Sequence, residues 1–338
     1  MIEGHGDDSF RYGTMVCHNF SSNICSDVDH SGLMAYLASV GEGIKSYPEP
    51  EPLSLGRMLA AEAGIDEGCV AVTNGATEAI YLIAQMSSGS EKSVIVGPTF
   101  REYQDACRIH GHRVTHIGAL SDIPEDSVTV WLCNPNNPTG KVYDKEELLG
   151  LIDSMPQTVF IIDQAYSDYT ALPLLTAPEV ARRDNAITLH SLTKRFAIPG
   201  LRIGYAIGSH RLIGRMRELR MPWSVNQLAI EAAKYLLDNK SNYHIDADGL
   251  HREALRIAES LRALGIAVSN TDCNFILCKL PAGNAAELKE YLVNNHGILI
   301  RDASNFEGLG KGHFRVAAQK PAENDMLINA IRQWMESL

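Results

Sequence analysis

The feature that most constrains this chain is a succession of short, mainly apolar runs, at 69–73, 94–96, 114–117, 128–132, 159–162, 186–189 and 204–207. A strand with one wet face alternates apolar and polar residues, whereas a strand that is apolar throughout must be covered on both sides. Helical stretches separate several of these runs, at 55–63, 74–86 and 101–110. The alternation predicts an α/β fold built on a mostly parallel, seven-stranded sheet with helices on both faces.

The grain changes after Trp223. Helices are predicted over 225–237 and 241–264, then strands near 275–278, 298–301 and 313–316, and a last helix from Pro321. A chain of 338 residues exceeds what one core usually organises, so a second, smaller α/β domain is expected. At the other end, residues 1–27 are irregular and polar, but Phe10, Tyr12, Val16 and Phe20 indicate that they pack on something, and 33–40 reads as a short helix. The run Tyr47-Pro48-Glu49-Pro50-Glu51-Pro52 must be extended, because each proline pushes the residue before it out of helical geometry. These punctuations divide the chain into an arm, 1–45, packing with the small domain; a large domain, 46–238; and the small domain, 239–338.

Charge narrows the partners. With 30 basic against 41 acidic residues the net charge is −11, which argues against a nucleic-acid or anionic-membrane surface. No basic segment followed by an apolar leader opens the chain and no run of 18 apolar residues occurs, so a cytoplasmic protein is expected. The seven cysteines are odd in number, never spaced as C-x-x-C and mostly set in apolar runs. Reduced, buried thiols and no metal site are expected.

In a sheet of this kind chemistry gathers in the loops after strand ends. Asn74-Gly75-Ala76-Thr77 is a glycine turn opening a helix, whose free N–H groups suit a phosphate. Pro98-Thr99-Phe100 offers an aromatic face. Asn134-Pro135-Asn136-Asn137-Pro138-Thr139-Gly140 is a rigid loop in which the Asn137 amide can donate to an oxygen anion. Asp163-Gln164-Ala165-Tyr166 places a carboxylate at the end of a buried strand, where it needs a cation. Ser191-Leu192-Thr193-Lys194 presents an amine between small hydroxyls, with Arg202 eight residues on. Taken singly, each has a plainer explanation as an N-cap, a turn or a core aromatic. Together they supply what pyridoxal 5'-phosphate (PLP) requires: an amine for its aldehyde, a carboxylate for its ring nitrogen, and hydroxyls and a guanidinium for its phosphate.

The set N-G-A-T-E, P-x-F, N-P-N-N-P-T-G, D-Q-A-Y and S-L-T-K-x-x-x-x-P-G-L-R resembles fold-type-I PLP enzymes of the aspartate aminotransferase superfamily over almost the whole chain. The early H-G, N-F-S-S-N-I, P-W-S-V-N and R-D-x-S-N-F-x-G-L segments are similar to the histidinol-phosphate aminotransferase branch, and within it to the threonine-phosphate decarboxylases of cobalamin synthesis. Three departures from that pattern are Asp7 in place of a second glycine, no proline after N-F-S-S-N-I, and Gln164 in place of glutamate. The resemblance implies a mixed, mostly parallel sheet and assigns roles by position. Lys194 carries the cofactor and moves protons, Asp163 pairs with the ring nitrogen, and Asn137 and Tyr166 hold the phenolic oxygen. Phe100 stacks on the ring, while Ala76, Thr77, Ser191, Thr193 and Arg202 hold its phosphate. Tyr47 reaches that phosphate from a neighbouring subunit, implying a homodimer with shared sites. Arg315 grips a substrate carboxylate, and Arg301, with His5 and Asn23 from the arm, binds the substrate's own phosphate.

The substrate so implied is a phosphorylated amino acid or amine. Decarboxylation of threonine phosphate is the first reading, and transamination of histidinol phosphate with glutamate the alternative. A PLP-binding regulator that lost turnover is disfavoured, because the lysine–aspartate–tyrosine set is intact and residues 1–45 hold neither a helix-turn-helix pattern nor a basic cluster.

Overall fold

The structure, a computed structural model, describes residues 7–25, 27–89 and 92–337. Its strands are β1 (His18–Asn19), β2 (Val70–Thr73), β3 (Ser93–Val96), β4 (Val114–Ile117), β5 (Thr129–Cys133), β6 (Val159–Asp163), β7 (Ala186–Ser191), β8 (Gly204–Gly208), β9 (Ala267–Val268), β10 (Phe275–Lys279), β11 (Ile298–Leu299), β12 (Arg301–Asp302) and β13 (His313–Ala317). Seven of them form one sheet in the order β2-β8-β7-β6-β5-β3-β4. Pairing is parallel from β7 through β6, β5 and β3 to β4, and only β8 runs against both its neighbours. The α/β fold with a mixed, mostly parallel seven-stranded sheet is therefore present. Strands β2, β3 and β5 are buried at every residue, as mainly apolar runs require.

Helices α1 (Ser31–Val40), α2 (Leu53–Ala63), α3 (Gly75–Met86), α4 (Glu102–Ile109), α5 (Lys145–Ser154), α6 (Ala177–Ala181), α7 (Leu192–Arg195), α8 (His210–Glu218) and α9 (Gln227–Asp238) accompany this sheet. Four of them, α5 to α8, were not read from the sequence, although for α5, α6 and α8 the start signals stand in it. The Asp144 side chain accepts from Glu147 N–H at the head of α5. Thr176 and Glu179 form a capping box around α6, and Ser209 caps α8. Such caps satisfy N–H groups that a helix start leaves orphaned.

A second core, around Phe275–Lys279 and His313–Ala317, lies under α10 (Ala247–Ala263), α11 (Ala285–His296) and α12 (Pro321–Glu336). Strands β12-β13-β10-β9 make its sheet. Two expectations shift here. The helix expected from 241 begins only at Ala247, where Asp246 accepts from Gly249 N–H at 2.8 Å. The strand expected over 298–301 divides between two sheets, since Ile298–Leu299 pairs in parallel with β1 while Arg301–Asp302 pairs with β13.

The N-terminal segment serves both cores. Phe20 is fully buried in the second, while α1 lies along α9 and buries Leu33 in the first. The N-P-N-N-P-T-G loop closes on the second core: Gly140 has φ +74°, and a Cβ there would stand 2.0 Å from Thr271 Oγ1. Only a glycine fits that approach.

Candidate active site

The loops after β2, β3, β5, β6 and β7 meet in one cavity of about 360 Å³, closed by residues of the second core and of the N-terminal segment. Its floor is Asp163. The carboxylate is buried, its Oδ1 accepting from Ala165 N–H at 2.9 Å and its Oδ2 from the Tyr103 hydroxyl at 2.7 Å. Burial raises its pKa, against the pull of those two hydrogen bonds and of Lys194. Tyr166, enclosed by Phe275 and Tyr169, has its phenol pushed up to about 12 by burial, with Arg315 drawing it down.

Lys194 sits on the one-turn helix α7, and its Nζ donates to the Ser22 carbonyl at 3.1 Å. Burial first, then the positive charges of Arg315 and Arg202, brings its pKa down to about 8. An amine with that pKa is partly neutral near pH 7, the form that attacks an aldehyde. Its backbone is held from outside the cavity. The Tyr169 hydroxyl donates to the Lys194 carbonyl at 2.9 Å and accepts from Cys25 N–H at 3.3 Å.

An anion cradle lies at the start of α3, beside Lys194. Ala76 and Thr77 line the cavity at that helix terminus, and Ser191 and Thr193, 2.7 Å apart through their hydroxyls, line it at the end of β7. Arg202 enters from a left-handed backbone position, φ +57°. Two glycines make room. A Cβ on Gly75 would be 2.7 Å from Arg202 Nη2, and one on Gly204 would be 2.6 Å from Ala76 N. A helix N-terminus, two hydroxyls and a guanidinium are groups that suit a phosphate.

The opposite wall carries Arg315 and Arg301. These are direct partners across β12 and β13, so both side chains leave the same face of the sheet. Arg315 is buried. Its Nη1 donates to Asn137 Oδ1, which leaves the Asn137 NH2 as the donor, and its Nη2 donates to the Ser21 carbonyl. Its Nε has no partner among the described residues, and burial lowers its pKa to about 10, with Arg301 adding to the effect. Arg301 donates to Asn305 Oδ1 at 2.9 Å and lies over the Phe306 ring.

Phe100 lines the cavity, edge-on to Tyr103 at 5.7 Å. Asn23 is fully buried at φ +57°, its amide without a hydrogen bond of good geometry and near enough to Tyr166 to lower the phenol's pKa. Tyr47 stands apart. It is 85% exposed and leans on Trp223 rather than on the cavity. His5 lies outside the described residues.

The cavity also shows residues the loops did not announce: Tyr103, Arg101, Asp7 and Asn305. Two had signals. Tyr103 follows Phe100 by three positions, one helical turn, and Asn305 belongs to the R-D-x-S-N-F segment. No group of three or more His, Cys, Asp or Glu residues suited to a metal occurs among the described residues, nor does a helix long and apolar enough to cross a membrane.

These features fit PLP. A buried carboxylate faces the cavity in need of a cation, an amine stands over it, and a phosphate cradle lies beside both, with orphaned polar atoms on Arg315 and Asn23. The comparisons agree. Residues 18–331 match the model of the family described as aminotransferase class I and II. The chain is 35% identical over 312 residues to a putative threonine-phosphate decarboxylase of Caldanaerobacter subterraneus subsp. tengcongensis, covering 86% of this chain and 83% of that one. It is 31% identical over 320 residues to a histidinol-phosphate aminotransferase of the same organism, covering 88% of each. The crystal structure of L-threonine-O-3-phosphate decarboxylase from Porphyromonas gingivalis superposes with a TM-score of 0.91 at 35% identity, over 94% of this chain and 99% of that one.

Proposed function

The chain belongs to the class I and II aminotransferase family and is a PLP-dependent enzyme, and from that premise we propose that it decarboxylates L-threonine O-3-phosphate. The observation that carries this reading is the cross-strand pair Arg301–Arg315. Like charges directly opposite on a sheet repel, and here both guanidiniums line one cavity with Lys194. A ligand bearing a carboxylate and a phosphate neutralises both at once. Histidinol phosphate, the alternative substrate, has a phosphate and no carboxylate. It would satisfy one arginine and leave the other for the 2-oxoglutarate of a second half-reaction.

Bound PLP supplies an electron sink for the α-carbon of an amino substrate. The protein's own groups do the rest. Ala76 and Thr77 N–H groups, Ser191, Thr193 and Arg202 anchor the cofactor phosphate, and Phe100 covers the ring. Asp163 holds a proton at the ring nitrogen, and the Asn137 NH2 and Tyr166 hold the phenolic oxygen. Lys194 Nζ moves the proton at the α-carbon. Arg315 takes the substrate carboxylate in a bidentate pair. Arg301 takes the phosphate with Asn23, and with His5 from the N-terminus.

Two further parts belong to the same reading. The division into arm, large domain (46–238) and small domain (239–338) places the cavity at the junction of the two cores. A homodimer accounts for Tyr47, which with Trp223 leaves aromatic surface exposed and would reach a partner's phosphate cradle. A cytoplasmic setting fits the reduced state expected of the cysteines.

The test is incubation with L-threonine O-3-phosphate and no keto acid. Release of CO2, with no conversion of the cofactor to its pyridoxamine form, is the expected result. Pyridoxamine phosphate accumulating with glutamate, and no CO2 from threonine phosphate, would establish the aminotransferase instead.

A further inference from the structure

We propose that Tyr103 is a positioning residue for the cofactor: its hydroxyl, given to Asp163 Oδ2, keeps that carboxylate ionised and turned so that the proton stays on the pyridine nitrogen. This rests on the reading of Asp163 above and adds a residue to it.

An ionised carboxylate offers about four acceptor positions. On Asp163, one on each oxygen is taken by a fixed donor from the protein, Ala165 N–H at 2.9 Å and Tyr103 O–H at 2.7 Å. The two donors come from different elements, the backbone after β6 and the side chain of α4, so together they lock the carboxylate's rotation. The groups that face Asp163 are Tyr103, Cys133 from the end of β5, Tyr166 and Lys194. The Cys133 thiol donates to the Pro135 carbonyl at 3.0 Å and is pushed up by burial, so it stays neutral. Tyr166 is likewise held neutral by burial. Lys194 attracts the carboxylate by charge, but its amine is required at the substrate. Tyr103 therefore stands as the side chain whose hydrogen bond to Asp163 persists through turnover.

Its surroundings leave it little other purpose. The ring is fully buried, stacked on Trp131 at 5.9 Å and edge-on to Phe100 at 5.7 Å. Phenylalanine would pack there as well, and a buried hydroxyl is costly unless paired. Burial pushes the phenol well above its ordinary range, so it acts as a donor. A carboxylate that accepts this bond is a weaker base. Without it, Asp163 would compete better for the proton it shares with the ring nitrogen, and the ring would be a poorer sink.

The experiment uses holoenzyme carrying PLP labelled with 15N in the ring, whose chemical shift reports protonation of that nitrogen. In Tyr103→Phe the shift should move toward the neutral ring. With it, kcat should fall about tenfold or more, the scale of a hydrogen bond to a charged group, while KM stays within about twofold. Placing 3-fluorotyrosine at position 103, a stronger donor of the same shape, should hold the shift at or beyond the wild-type position and move the acid limb of the kcat pH profile to lower pH than in the wild type. This arm decides the question even if the Phe variant does not fold. Asp163→Asn separates the two levels. A shift lost in Asp163→Asn but intact in Tyr103→Phe overturns the role of Tyr103 alone, as does a pH profile indifferent to fluorination. A shift unchanged in Asp163→Asn overturns the reading of Asp163, and this inference with it.

Discussion

Replacing Lys194 with methionine should make the cofactor-free protein more stable at neutral pH. The ammonium group is buried, with the positive charges of Arg315 and Arg202 acting on it, and its pKa falls from an ordinary 10.5 to about 8. At 1.36 kcal/mol per pH unit that drop corresponds to about 3 kcal/mol charged against the folded state while the amine is protonated. Because the folded-state pKa is depressed, the unfolded chain binds more protons between about pH 8 and 10.5. Stability contributed by this group therefore rises with pH through that window and is flat below it. Methionine has similar length and no charge. It forfeits the hydrogen bond to the Ser22 carbonyl, worth about 1 kcal/mol at any pH. The Lys194→Met protein should thus exceed the parent by about 2 kcal/mol at pH 7, and the advantage should shrink from pH 8 and vanish or reverse by about pH 10.5. Urea unfolding of both cofactor-free proteins, at one protein concentration and across this pH range, measures the difference directly. A difference that does not change with pH would refute the reasoning, because no unpaired charge would then be buried at position 194.

The paired arginines and the proposed dimer can be tested separately. Arg315→Lys keeps the charge but loses the planar fork, so kcat/KM for threonine phosphate should fall about 100-fold, some 3 kcal/mol of transition-state stabilisation; a change of less than threefold would remove Arg315 from carboxylate binding. Tyr47→Ala and Lys194→Ala, each inactive alone, should recover activity when their subunits are exchanged, because a mixed dimer holds one site free of both lesions. Continued inactivity after verified exchange would count against a shared site.

What the sequence determined by itself was whatever short-range pattern encodes. Unbroken apolar runs such as 159–162 demand burial on both faces, and that demand predicted the sheet and its helical cover. The loops after those runs carried the chemistry, because a strand end is where a side chain such as Asp163 escapes the ladder and faces open space. Where local signals went unread, as at the caps of α5, α6 and α8, they were nevertheless present in the residues. Other features had no local signal. The antiparallel course of β8 between β2 and β7 depends on its neighbours in the sheet, not on its own residues. The strand expected over 298–301 is divided by two different pairing partners, one of them 280 positions away at His18. The same division puts Arg301 directly opposite Arg315, and it is this juxtaposition that brings two separate arginines onto one wall of the cavity. The Ser21 and Ser22 carbonyls that meet Arg315 and Lys194 are ordinary backbone atoms, indistinguishable in sequence from any others. Tyr103 reads as a core aromatic until the fold sets its hydroxyl on Asp163, 60 positions away. Periodicity records which face of an element is dry, but it does not record what will be opposite. Those pairings were decided only when the two cores closed on a common cavity.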